Sequence, residues 1–172
     1  MHSGTSDTIK NELLDSKAEL GLFYTNIKNH EIELQKIRDV EFIAVCSPEN
    51  DLLKDRKTAL SKLVDAYYIG SRPEEYSAPS PALKLLASVG VRPRQFFEVN
   101  NHETQKKMAM QKWGYTVVPR HMALAELRTK QLIEITLPKK LFWPVYLAKR
   151  KGRTLSRTAE AFERFLTRQI VL

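Results

Sequence analysis

Residues 32–46 form one long extended pattern whose character changes halfway. Ile32-Glu33-Leu34-Gln35-Lys36-Ile37 alternates apolar with polar side chains, whereas Glu41-Phe42-Ile43-Ala44-Val45-Cys46 is almost continuously apolar. Alternation belongs to a strand with one solvated face, and a continuous apolar run to a strand covered on both faces. A strand that changes surroundings midway is expected to pass between two lobes. Ser47-Pro48-Glu49-Asn50-Asp51 then breaks the pattern.

Helix and strand patterns alternate through the rest of the chain, which predicts an α/β fold with substantially parallel strands. Residues 7–17 place Ile9, Leu13 and Leu14 at helical spacing, and a short strand over Ala18 to Thr25 follows. Further helices are expected over Thr58 to Leu63, Pro81 to Val89 and His102 to Trp113, with strands over Ala66 to Ile69 and Gln95 to Val99. Pro81 suits a first helical position, and Gly90 a left-handed exit. The last third continues with the strand Trp113-Gly114-Tyr115-Thr116-Val117-Val118, a helix-like segment from His121 to Leu127, and a strand at Leu132 to Thr136. An extended Phe142 to Ala148 and a closing helix from Ser156 complete it. That helix carries Ala159, Phe162, Phe165, Leu166 and Ile170, a stripe expected to dock on a sheet.

Charge is unevenly spread. Residues 1–60 hold eight Lys or Arg against eleven Asp or Glu, residues 61–120 nine against five, and residues 121–172 eleven against four. The net +8 therefore concentrates near Lys149-Arg150-Lys151-Gly152-Arg153 and the last helix. A phosphate-binding patch would want interleaved aromatic side chains or a recognition helix, so a solvated basic surface is the expectation. No apolar stretch approaches the roughly 20 residues of a membrane span, and no secretion signal marks the start, so a cytoplasmic location without membrane partners is expected. The lone Cys46 lies in an apolar run and is expected to be a buried structural thiol.

Residues for catalysis do not assemble. His2, His30, His102 and His121 lack metal-ligand spacing, and neither a nucleophile elbow nor a phosphate loop occurs. No metal, no cofactor and no enzymatic activity are expected. What remains are polar residues where strands hand over to helices, the natural pocket walls of open α/β sheets. They are Thr5 and Ser6 before the first helix, Tyr24 and Thr25 after the first strand, Ser71 and Arg72 after Ala66 to Ile69, and Asn101 and His102 before the fourth helix. Each has a plainer account as a helix cap or turn residue. Arg72 is suited to clamp a carboxylate, although an ion pair with Glu74 or Glu75 is a rival.

From Ser3 to Phe165 the order and spacing resemble the effector-binding domain of LysR-type transcriptional regulators. The fragments that carry this are Ser3-Gly4-Thr5-Ser6 through Leu22, Val40 through Asn50, Val89-Gly90-Val91-Arg92-Pro93, Gly114 through Arg120, and Tyr146 through Ser156. The resemblance implies a periplasmic-binding-protein-like (type 2) two-lobed fold with the first lobe incomplete. It places a partial first lobe at residues 1–46, a second lobe at 47–155, and a helix returning toward the first lobe at 156–172.

The same resemblance implies a small polar or anionic effector in an interlobe cleft, touching Thr5, Ser6, Tyr24, Thr25, Ser71, Arg72, Asn101 and His102. Where the family usually has glycine this chain has Lys112, so a different local turn is expected. The family's winged helix-turn-helix and the opening of its first lobe are not found, so DNA would be reached only through a domain absent from this chain. Any homodimer is expected to be weakened, the second lobe to be the sturdier, and Leu20, Leu22 and Phe23 to be exposed. A solute-binding protein serving transport is the alternative function, and an enzyme on the same fold a third.

Overall fold

The computed structural model describes residues 6–24, 26–53, 60–71 and 80–168. They divide into two compact units, one made of residues up to Asp39 together with those from Pro144 onward, the other running from Val40 to Trp143. The changes of unit fall inside two long strands, at Asp39/Val40 and Trp143/Pro144, whereas the resemblance placed them at 46/47 and 155/156.

The first unit holds helix α1 (Ser6–Leu14), strand β1 (Gly21–Phe23), the opening of β2 (Ile32–Cys46), the end of β7 (Leu141–Arg150) and helix α6 (Arg157–Arg168). β1 runs antiparallel to β7, with Leu22 opposite Leu147 and Phe23 opposite Tyr146. Its core is Leu13, Phe23, Ile32 and Ala148. Leu22 is exposed as expected, but Phe23 is buried. The period of two turns Phe23 to the face covered by α1, while Leu22 takes the other.

Two further expectations fail in this unit. The stripe on α6 does not dock as a whole, because Ala159 is buried while Phe162 and Phe165 stand exposed. The helix is held at its start instead. Glu19 accepts from the Ser156 amide at 2.7 Å and from its hydroxyl at 2.8 Å, and Ser156 Oγ in turn accepts from the Ala159 amide. The basic turn is not simply solvated either. Lys149 pairs with Glu163 at 2.8 Å, and Arg150 donates to the Leu14 carbonyl and to Glu31.

The second unit contains the rest of β2, α2 (Leu60–Asp65), β3 (Tyr67–Gly70), α3 (Pro81–Ala87), β4 (Gln95–Glu98), α4 (His102–Met110), β5 (Thr116–Pro119), α5 (Leu124–Arg128) and β6 (Ile133–Glu134). A 3-10 turn at Asp51–Leu53 follows β2, and another at Arg120–Ala123 leads into α5. β3 and β4 pair in parallel, from Tyr67 opposite Gln95 to Gly70 opposite Glu98. Tyr115 then joins β3 to the start of β5, donating its amide to the Tyr67 carbonyl and accepting from Ile69. β5 and β6 both run antiparallel to β2. The expectation of substantially parallel strands is thus corrected. β2 runs against both β5 and β6, and the parallel pairing shown is that of β3 with β4, continued by the Tyr68–Tyr115 bridge.

Phe42 through Cys46 are all buried, as a continuous apolar run requires. The core of this unit gathers Ile43, Val45, Ile69, Ala109, Val118, Ala123 and Leu132. Cys46 is fully buried, and burial pushes its thiol up to about 12. α4 exits through Lys112, whose φ of +68° is left-handed. The side chain that replaces the family's usual glycine therefore adopts a conformation glycine would take without strain.

Candidate functional site

The carboxyl ends of β3 and β4 meet the amino end of α4 in the second unit. Val99 donates its amide to the Gly70 carbonyl at 3.3 Å, which draws the exits of the two strands together. Across that junction Ser71 Oγ lies 3.1 Å from Asn100 Oδ1. Asn101, in extended conformation, caps α4 by accepting from the Thr104 amide at 3.0 Å. This is the ordinary work of an N-cap, and it occupies the Thr104 amide while the start of a nine-residue helix stands at one end of the sheet.

His102 opens the helix, its Nδ1 2.9 Å from Gln105 Oε1. Gln105 is buried and donates through Nε2 to the Val99 carbonyl at 2.7 Å, while Thr116 Oγ1 reaches the same Oε1 at 3.3 Å. A chain of polar contacts thus runs from β5 through α4 to the β4 exit and fixes the His102 ring. Beneath it, Lys106 is buried against Glu126 at 2.7 Å, Glu103 at 2.9 Å and the Met122 carbonyl at 2.6 Å. Burial works to lower the Lys106 pKa, but the bonds to the two glutamates outweigh it and raise it. Burial likewise works to raise Glu126, and Lys106 prevails to hold it low.

The eight residues chosen from the sequence fall into three groups. Ser71, Asn101 and His102 lie together at this junction. Ser6 begins α1 and Tyr24 follows β1, both exposed, within the first unit. Thr5, Thr25 and Arg72, with its rival partners Glu74 and Glu75, lie outside the described residues. Sequence reasoning passed over Gln105 and Thr116. The i, i+3 spacing of His102 and Gln105 on one helix was the available signal for the first. Nothing in the sequence brings Thr116 to Gln105.

A cavity of about 470 Å³ opens at the other end of the sheet, before β3, with Tyr67, Trp113, Lys112 and Asn50 in its wall. None of the chosen residues lines it. Two of its charged groups are already paired, Lys112 with Glu49 and Asp65 with Arg94, so the strand carboxyl ends are the better candidate. Among the described residues no three His, Cys, Asp or Glu side chains are placed to hold a metal ion, and no helix is long and apolar enough to cross a membrane.

No curated protein sequence matches the chain. Several solved structures share its fold. The regulatory domain of CcmR from Synechocystis PCC6803, solved in complex with 2-PG, superposes with a TM-score of 0.76 at 17% identity, over 95% of this chain and 79% of that one. The effector-binding domain of QuiR in complex with shikimate gives 0.73 at 20%, over 97% and 78%. The regulatory domain of MetR, a LysR family regulator from N. meningitidis, gives 0.72 at 16%, over 93% and 74%. The LysR substrate binding domain matches residues 1–170, and with a type 2 periplasmic-binding-protein-like fold to match, the chain belongs to that family.

Proposed function

We propose that this domain binds a small polar or anionic effector and, by doing so, biases a LysR-type regulator between arrangements that differ in their control of transcription. The observation that carries this is the meeting of Ser71, Asn101 and His102 at the carboxyl ends of β3 and β4, beside a helix amino end, in a chain of this family. Helix amides and small polar side chains suit an anionic or hydroxylated metabolite. A ligand shifts such an equilibrium only by its difference in affinity for the two states.

Ser6 and Tyr24 of the first unit, and Thr5, Thr25 and Arg72, are proposed contacts on the same family resemblance. The domain acts as a sensor and not as an enzyme, and its place is the cytoplasm. DNA is reached through a helix-turn-helix segment other than the residues matched to this domain, and self-association is part of the same proposal. Family membership favours this reading over a transporter's solute-binding protein.

The test is a thermal-shift screen of small carboxylates, amino acids and aromatic acids. A ligand at a hundred times its dissociation constant adds about 2.7 kcal/mol to folding. Ser71→Ala, Arg72→Ala and His102→Ala should reduce the shift given by an active ligand. Shifts unchanged in all three variants would refute the placement, and turnover of a ligand that shifts melting would refute the sensor role.

A further inference from the structure

We infer that Gln105 fixes the tautomer of His102, so that the neutral ring presents the Nε2 lone pair and the site takes a hydrogen-bond donor there. This rests on His102 being an effector contact, as proposed above.

The assignment follows from one backbone carbonyl. Val99 O can only accept, so the atom of the Gln105 amide 2.7 Å from it is the nitrogen. The other end of the amide is then the oxygen, which also can only accept. It stands 2.9 Å from His102 Nδ1 and 3.3 Å from the Thr116 hydroxyl. Nδ1 must therefore carry a hydrogen, and Thr116 is free to donate to the same oxygen. A neutral imidazole has a single N–H, so Nε2 is left with its lone pair.

Reversing the amide would set its oxygen 2.7 Å from the Val99 carbonyl oxygen, two acceptors with no hydrogen between them, in a residue only 4% exposed. Buried polar atoms left without partners are costly, so the reversed state is excluded. The backbone on either side is itself held. The Gln105 backbone N–H bonds to the Asn101 carbonyl at 2.9 Å, and Val99 is tied to Gly70 across the strand exits. Among the described residues nothing else bonds the ring. An effector meeting Nε2 of the neutral ring therefore offers a hydroxyl, an ammonium or an amide N–H at that point, and its carboxylate, if it has one, is held by other groups. Gln105 is a positioning residue that acts through His102.

Histidine ring nitrogens report their own protonation in ¹⁵N correlation spectra, taken above the pH at which the imidazole becomes neutral. The expected spectrum has a protonated Nδ1 and an unprotonated Nε2 for His102 in the ligand-free protein. A protonated Nε2 as the main form would overturn the inference. Gln105→Glu keeps an acceptor for Nδ1, at the cost of an oxygen facing the Val99 carbonyl, and should retain the Nδ1–H form. Gln105→Leu removes the acceptor and should release it. A merely structural role would lower the melting temperature of both variants and leave the tautomer the same in both, which also overturns the inference. If either variant fails to fold, the wild-type spectrum decides alone.

The ligand side uses cyclohexanecarboxylate, which only accepts, against hydroxylated carboxylates such as shikimate. Ligands that move the Nε2 resonance should carry a donor. Movement caused by cyclohexanecarboxylate while Nε2 stays unprotonated contradicts the inference. If no compound shifts melting, the effector reading fails, and the tautomer measurement still decides this one.

Discussion

Tyr115 donates its buried hydroxyl to the carbonyl of Leu63 across 2.9 Å, while its backbone stitches β3 to the start of β5. One residue thus closes two joints of the second unit, the sheet and the end of α2. Burial pushes its hydroxyl well above the usual tyrosine range, which favours the neutral form that donates. Tyr115→Phe keeps the ring and strands the Leu63 carbonyl. Its expected cost is about 1–3 kcal/mol, read from urea unfolding with an unchanged slope. A neutral substitution would show that water or another donor replaces the hydroxyl.

The Lys106–Glu126 pair sets an acid limit. Glu126 is held below the ordinary 4.5 once it is folded. Its contribution is complete above the unfolded value and is lost as pH falls through the folded one. Lys106 is raised above the ordinary 10.5, so its contribution persists through neutral pH and fades only as pH rises through the folded value. Lys106→Met should cost about 3–5 kcal/mol at pH 7 by leaving a poorly solvated carboxylate unpaired. The deficit should shrink at acid pH, as pH falls below the ordinary 4.5 and through the folded Glu126 value. Urea midpoints at neutral and acid pH check this, and a deficit independent of pH would contradict it.

Two glycines with positive φ should respond very differently to alanine. A Cβ on Gly114 would lie 2.1 Å from the Tyr67 carbonyl oxygen, at φ +155°, so β3 and β5 could not keep their spacing. Gly90, at φ +82°, faces open space. Gly90→Ala should cost about 1 kcal/mol for the backbone conformation alone. Gly114→Ala should cost several times as much, about 3 kcal/mol or more, because the contact adds to the strain. Equal melting temperatures for the two variants would rule out this account.

Cys46 is fully buried with its thiol raised to about 12. At neutral pH it should react with an alkylating reagent only as fast as the second unit opens, and at the rate of a free thiol once unfolded in urea. Rapid labelling of the native protein would place it in a far more accessible setting.

Much of this could be read from the chain. The run Glu41 to Cys46 had to be covered on both faces, because its side chains offer water nothing on either. Asn101 stood where a helix needs a side-chain acceptor, and it caps Thr104 as its plainer account had it. The interior Cys46 follows from a short pattern of the same kind. These are local rules, in which each residue's neighbours in sequence are also its neighbours in space.

What failed was long-range. Strand direction could not be read from β2, since the same apolar run satisfies a parallel or an antiparallel partner. The fate of Phe162 and Phe165 on α6 depended on what that helix meets, and ion pairs and capping at its start decided where it sits. Gln105 became interesting only once Val99, Asn101 and Thr116 were brought around it from three elements. Periodicity and capping are set by covalent order, so the sequence by itself determined where helices and strands form and which faces need cover. Pairing direction, the exposure of the last helix, and the polar chain that orients His102 depend on groups distant in sequence, and only the tertiary structure decided them.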